Sequence, residues 1–169
     1  MAAVIKVVVL WGPPGSGKST IGEELGRRGL RWREWESVIL ERWGSRERFV
    51  EHKAEALPEL HAEILAWIAS DRSIAVIETT GLSDAPLVSA LQGSGDALVV
   101  RLDVSEDEAL RRVAVRQQGR HLNDDVADNR AVWRACQEQA DRLDVDLVVD
   151  TEVVAAQSAV AAITAALEA

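Results

Sequence analysis

One eight-residue stretch limits the folds open to this chain more than any other: Gly12-Pro13-Pro14-Gly15-Ser16-Gly17-Lys18-Ser19. It fits the pattern G-x-x-x-x-G-K-[ST] in full. Val4 to Leu10, just before it, is a nearly continuous apolar and β-branched run, as expected of a strand buried on both faces. The residues from Lys18 to about Arg28 read as a helix, with Gly29 as its stop. Strand, glycine-rich turn and helix in this order make a phosphate-binding loop. The glycines let successive backbone N–H groups curl inward toward phosphate oxygens, and the helix adds its positive end. In such a loop Lys18 reaches the β- and γ-phosphates, the Ser19 hydroxyl is the expected Mg²⁺ ligand, and Thr20 serves the α-phosphate side. The expected ligand is a nucleoside triphosphate, ATP with Mg²⁺.

The rest of the chain alternates strand and helix. Leu30 to Arg33, Ser73 to Ile77, Ala97 to Leu102 and Leu147 to Val149 read as further strands. Ser37 to Trp43 and Glu47 to Ser70 read as helices, the second bent or split at Pro58. Asp84 caps a short helix with Pro86 in its first turn. Ser105 caps another, with Glu108 three residues on in the capping-box pattern, and an Ala-rich helix ends the chain. Five apolar strands separated by helices predict a three-layer α/β/α fold with a five-stranded parallel sheet, and residues 1–169 form a single domain. In such a sheet the ligand crevice lies at the carboxyl ends of the strands. The loops after Leu10, Arg33, Ile77, Leu102 and Val149 therefore surround one site.

Bulk properties exclude several classes of function. The chain of 169 residues has a formal net charge of -9, with 47% hydrophobic and 28% charged residues. An acidic chain gains no general attraction to nucleic acid or to anionic membranes. Cys136 is the single cysteine, so no internal disulfide forms, and a reducing cytoplasm is the expected setting. No apolar run approaches the ~18 residues of a membrane span, and the first ten residues read as a strand rather than a signal peptide. A small-molecule partner and a monomer or homodimer are expected.

Charged residues then suggest chemistry. Glu34 and Glu36 follow the second strand, and in an extended segment both point to one side. Phosphoryl transfer to a hydroxyl needs one carboxylate to organise Mg²⁺ through its waters and one to accept the acceptor's proton. A solvated pair flanked by Arg31 and Arg33 is the alternative. Glu78 ends the apolar third strand, followed by Thr79-Thr80-Gly81, and is placed to serve Mg²⁺ or the acceptor. Arg111, Arg112, Arg116 and Arg120 cluster, and Gln117-Gln118-Gly119 breaks the helix into a loop ended by Asn123-Asp124-Asp125. A lid over residues 116–126 that brings arginines to the phosphates would supply charge and exclude water. Arg116 and Arg120 are the candidates; Arg111 suits a solvated helix face. Trp11, Trp67 and Trp133 read as core, while Trp32 or Trp35 could line an acceptor pocket. His121 adjoins the lid, and no histidine makes a metal spacing with Cys136.

Taken in order, these segments resemble the shikimate kinase group of small P-loop kinases, related to nucleoside monophosphate kinases. Gly12 to Thr20 matches the family's phosphate loop. Glu34-Trp35-Glu36 stands where the family has an Asp-x-Asp pair, and Arg116 with Arg120-His121-Leu122 resembles its lid. Asp146 to Thr151 resembles its last strand, whose Val-Asp-Thr turn implies that Asp150 and Thr151 lie near the adenine. The resemblance implies catalytic roles for Lys18, Glu34, Arg116 and Arg120, and a helical substrate-binding region at about 37–70. It also implies an acceptor pocket at Glu34, Glu36, Glu78, Thr80 and Gly81, with Ser19, Glu34 and Glu78 on the metal side. Three departures stand out. Glu78-Thr79-Thr80-Gly81 replaces the family's Gly-Gly-Gly turn, Phe49-Val50 replaces its Phe-Arg pair, and Arg130 and Arg134 are out of register for its second substrate arginine. Fold, ATP use and lid carry over; shikimate does not. The Glu-Thr-Thr segment also resembles antibiotic phosphotransferases and polynucleotide kinases. A polynucleotide 5′-hydroxyl kinase and a nucleotide-dependent regulatory ATPase therefore stand as alternatives to a small-molecule kinase.

Overall fold

The structure, a computed structural model, describes residues 5–116 and 121–169. Its elements in chain order are β1 (Val7–Trp11), α1 (Lys18–Arg27), β2 (Arg31–Trp32), α2 (Trp35–Trp43), α3 (Arg46–Glu51), α4 (Lys53–Ala69), β3 (Ala75–Thr79), α5 (Ala85–Gly93), β4 (Ala97–Asp103), α6 (Glu106–Val115), α7 (Val126–Ala140), β5 (Leu147–Asp150) and α8 (Ala156–Leu167). The five strands form one parallel sheet in the order β2-β3-β1-β4-β5.

The side-chain period of two divides the core into two layers. Val7 and Val9 of β1 and Ala75 and Ile77 of β3 face α2 to α5, where they meet Ile39, Leu60 and Val88. Val8 and Leu10 of β1 and Val76 of β3 face the other way, toward Ile21 and Leu25 of α1 and Val160 and Ile163 of α8. All five residues of β1 are buried, as a central parallel strand covered on both faces requires. β1 lies between β3 and β4, so the chain leaves it to opposite sides, and the crevice at its carboxyl end is the topological switch point.

Several local expectations are corrected. The long second helix breaks at His52, not at Pro58, which lies inside α4. Pro58 and Ala54, whose carbonyl loses its donor, are both exposed, so water can satisfy that carbonyl. β3 starts two residues later than expected and carries Glu78 and Thr79 inside the sheet. α2 starts at Trp35, so Glu34 occupies its N-cap position and Glu36 its first turn. The two acids are therefore not an extended pair; negative charge at a helix N-terminus favours this arrangement. Asp84 precedes α5 but makes no cap bond, because its carboxylate is taken by other partners. The capping box at Ser105 is half-formed: Ser105 Oγ accepts from the Glu108 N–H, while Glu108 turns to Arg111 and Arg112 and Glu152 takes the Ser105 N–H.

Candidate active site

The loop after β1 folds back over its own strand. The Gly12 N–H donates to the Thr79 carbonyl at 3.1 Å, extending the β1–β3 ladder into the loop, and the Ser16 N–H closes a turn onto Pro13 at 3.2 Å. Lys18 opens α1 and arches over the loop, its ammonium donating to the carbonyls of Gly12 and Pro13 at 2.8 Å each. Burial pushes the Lys18 ammonium below the usual lysine value, against the opposing pull of Glu78 and Glu36.

Parity along β3 decides what stands beside it. Glu78 shares the α1 face with Val76. Its Oε2 accepts the Ser19 hydroxyl at 2.8 Å, and its Oε1 accepts the Trp32 indole N–H at 2.7 Å. Burial raises the Glu78 carboxyl above the ordinary range, although Lys18, Ser19 and Trp32 all pull the other way. Thr79 faces the opposite layer. Its hydroxyl donates to Asp84 Oδ2 at 2.9 Å and accepts the Gly81 N–H at 2.8 Å, and His61 meets Asp84 Oδ1 at 3.2 Å.

Lys18, Ser19, Glu78, Thr79 and Asp84 border one cavity of about 660 Å³. At one end lie Pro14, Gly15, Gly17, Lys18, Ser19 and Thr20. At the other, Trp35, Ile39, Phe49, Leu57, Leu60 and Leu82 make apolar walls, with Glu34, Asp84, Arg46 and Lys53 as polar members. Arg112, Arg116, His121 and Leu122 close the side. Glu34 accepts the Ser37 hydroxyl. Glu36 accepts from the Leu122 N–H at 3.2 Å and meets His121 Nδ1 at 3.3 Å. Enclosure by the cleft walls tends to raise the Glu36 carboxyl, but bonds from His121 and Leu122 and the charge of Lys18 leave it lowered. With 47% of its side chain still open to the cleft, that shift is modest in energetic terms.

The segment expected to form a lid is described on either side of residues 117–120. Arg116 ends α6 and bonds the Asn123 carbonyl and Asp124. Asp125 caps α7 through the Asp128 N–H. Arg120 lies outside the described residues. Arg112, absent from the sequence candidates, lines the cavity and ties it together: its guanidinium bonds Glu108, the Gly15 carbonyl at 3.2 Å, and the Thr151 hydroxyl and carbonyl at 3.0 and 2.8 Å. Its spacing of four from Glu108 was a visible signal, but one that suits any helix surface. Thr151 thus reaches the site only through Arg112. Asp150 accepts the Glu152 N–H in its own turn. Neither residue lines the cavity, and nor do Gly12, Pro13, Ser16 and Gly81. Thr80 does, and its carbonyl accepts the thiol of Cys136. Trp35 fills the role of the aromatic wall, whereas Trp32 turns to Glu78. Arg130 and Arg134 pair with Glu106.

The donor set suits Mg²⁺. Ser19 and Glu78 offer hard oxygen atoms in hydrogen-bond contact, while among the described residues no three His, Cys, Asp or Glu side chains gather into a metal cage. Mg²⁺ is commonly held by one or two protein oxygens together with substrate phosphates.

Cys136 allows a separate check on this packing. Burial pushes its thiol up to about 11 from an ordinary 9.0. A group with a raised folded-state pKa stabilises the fold fully below its unfolded value and loses that contribution as pH rises to the folded value. Stability should therefore fall by about 2 kcal/mol between pH ~9 and ~11. The chain has no tyrosine to titrate there. Urea melts of the wild type and of Cys136→Ala across this range should show the decline weakened in the variant; parallel declines would contradict it.

Comparisons with known proteins agree with this architecture. The model of the family described as "AAA domain" matches residues 8–133. A shikimate kinase of Frankia casuarinae is 33% identical over 120 residues, 68% of this chain and 52% of that protein, so the chain spans about half the length of the curated relative it matches. A shikimate kinase from Bacteroides thetaiotaomicron aligns at a TM-score of 0.71 and 21% identity, covering 96% of this chain and 98% of the other. The Acinetobacter baumannii enzyme in complex with shikimate gives 0.68 and 18%, covering 96% and 93%. Deoxyadenosine kinase from M. mycoides with bound dATP gives 0.67 and 17%, covering 96% and 100%. The fold is that of the small P-loop kinases. Among the described residues no helix is long and apolar enough to cross a membrane.

Proposed function

We propose that this chain, which belongs to the AAA domain family, is an ATP-dependent phosphotransferase that moves the γ-phosphate to a hydroxyl of a small molecule. One observation carries the reading: a phosphate loop and an acid-bearing apolar bay share a single cavity. Magnesium bound with ATP supplies charge neutralisation at the phosphates. The chain's own residues do the rest. The loop amides and Lys18 hold the phosphates; Ser19 and Glu78 orient the metal side. Arg116, at the root of the lid, offers positive charge where it develops in transfer. Glu34 is the base that takes the acceptor's proton, and the bay between α2, α3 and α4 excludes water around the acceptor. Glu36 ties the lid to α2, so closure over nucleotide and order in the acceptor bay are linked.

The acceptor is not shikimate on this reading. The chain departs from the shikimate kinase pattern at Val50 and at Glu78-Thr79-Thr80-Gly81, and of these Val50, Glu78, Thr79 and Thr80 line the cavity. A panel of hydroxylated metabolites, nucleosides and aminoglycoside-like compounds, with shikimate included, should contain a compound that makes ADP release acceptor-dependent. Release that ignores every acceptor but responds to a protein partner would replace this proposal with a regulatory ATPase. Salt-sensitive phosphorylation of oligonucleotide ends would replace it with a polynucleotide kinase. With an acceptor in hand, Glu34→Gln should lower kcat by ~10²–10⁴ and leave ADP affinity unchanged. An undiminished kcat would move the base elsewhere, with Asp84 next in line.

A further inference from the structure

We infer that Trp32 is a positioning residue for the metal side of the phosphate site, acting through Glu78; the inference rests on the nucleotide reading above. The two oxygens of Glu78 have separate partners, Ser19 Oγ on one and Trp32 Nε1 on the other. A glutamate carboxylate turns freely about its last torsion, where the rotamer wells are broad. Two donors from opposite sides remove that freedom and fix which oxygen faces Ser19.

The indole is itself held by three elements. Trp32 sits on the edge strand β2 and pairs in register with Val76 of β3, two residues before Glu78. Its ring then lies across α1 at Gly22. A Cβ at position 22 would stand 2.6 Å from Trp32 Cδ1 and closer still to Nε1, so a residue with a side chain there would displace the donor. Position 26, one turn on, leaves only 3.4 Å between such a Cβ and Trp32 Cβ. The helix that begins with Lys18 and Ser19 is thereby shaped to seat the ring that holds Glu78. A packing role alone would be met by any large apolar side chain. The N–H is what a half-buried carboxylate needs, since an unpaired polar group in a partly desolvated site is costly. Partners that orient a metal's own ligands typically matter by 10–100-fold in metal affinity.

The test measures ADP binding by calorimetry with Mg²⁺ and with EDTA, using Trp32→Phe, Glu78→Gln and the double variant. Trp32→Phe is expected to weaken ADP binding roughly tenfold with Mg²⁺ and by less than about twofold without it. In the Glu78→Gln background the same change should add less than about twofold. Equal losses with and without Mg²⁺, or losses that multiply in the double variant, would overturn the role. Should Trp32→Phe fold poorly, the ¹H–¹⁵N indole resonance of Trp32 supplies the readout in the intact protein. It should move in Glu78→Gln, and on adding Mg²⁺ to the ADP-bound wild type; a resonance that ignores both overturns the role. Wild-type protein that binds no ADP would sink the nucleotide reading itself, whereas Mg²⁺-strengthened binding undiminished in Trp32→Phe removes only the part given to Trp32.

Discussion

Lys18→Met is expected to lower phosphoryl transfer by about a hundredfold to a thousandfold while the protein stays folded. The two halves of this result have separate causes. Transfer depends on positive charge preorganised where phosphate oxygens gain charge, and one such donor in a water-poor site is typically worth ~10²–10³ in rate. Lys18 is the cation that arches over the loop itself, whereas Arg112 and Arg116 line the side of the cavity and are held by Gly15, Thr151, Asn123 and Asp124. Stability changes less, because losses and gains oppose. The Gly12 and Pro13 carbonyls lose a charged donor at 2.8 Å, which costs about 1–3 kcal/mol if no water replaces it. Against that, a buried ammonium that burial already pushes toward its neutral form is removed. A circular-dichroism melt close to wild type, beside ADP release near background, is the expected pair of results. A variant that keeps more than about a tenth of its turnover would show that the loop amides and Mg²⁺ suffice, and would remove Lys18 from the chemistry.

How far the sequence could be read followed from how local each cause is. The phosphate loop, the strand before it and the helix after it are neighbours in the chain, so their motif predicts them together. The burial of β1 on both faces is equally legible, since it writes an uninterrupted Val-Val-Val-Leu run. Less legible was anything decided by parity across strands. Glu78 and Thr79 are adjacent, yet they serve opposite layers: one belongs to Ser19 and Trp32, the other to Asp84. Asp before Ala-Pro is a strong local signal for a helix cap, yet the Asp84 carboxylate goes to the Thr79 hydroxyl and His61 instead. Glu34 and Glu36 were paired on the assumption of an extended segment. A helix that begins one residue after Glu34 sends one acid to Ser37 and the other to His121 and Leu122. Nothing local singles out Arg112 from its arginine cluster, for a related reason. Its bond to Glu108 is visible as a spacing of four, but its grip on Gly15 and Thr151 joins three parts of the chain that no local pattern connects.

The loop glycines yield the second large effect, and here the structure separates what the motif treats alike. Gly15 and Gly17 both adopt positive φ, +80° and +88°. An L residue in that region is strained by roughly 1–2 kcal/mol. Beyond that shared cost the two diverge. A Cβ on Gly15 would lie 2.9 Å from the Cα and carbonyl carbon of Ala109, and closer still to its oxygen. That neighbour is backbone in the first turns of α6 and cannot rotate away. A Cβ on Gly17 would meet nothing within 4 Å. Gly15→Ala must therefore push the loop off α6, adding an overpacking cost of about 1–3 kcal/mol to the strain. It also disturbs the Arg112 bond to the Gly15 carbonyl that joins loop, α6 and the turn after β5. The expected loss of stability is about 2–5 kcal/mol for Gly15→Ala and about 1–2 kcal/mol for Gly17→Ala, read from urea melts. Nucleotide binding should rank the other way once corrected for unfolding. Gly17 lines the cavity and a Cβ there would meet no protein atom, so if phosphate oxygens approach this backbone, as the proposed function has it, a methyl would obstruct the ligand rather than the fold. If both variants lost stability equally, or if Gly17→Ala bound ADP like the wild type, the close approach at Gly15 and the ligand-facing space at Gly17 would not be what distinguishes them.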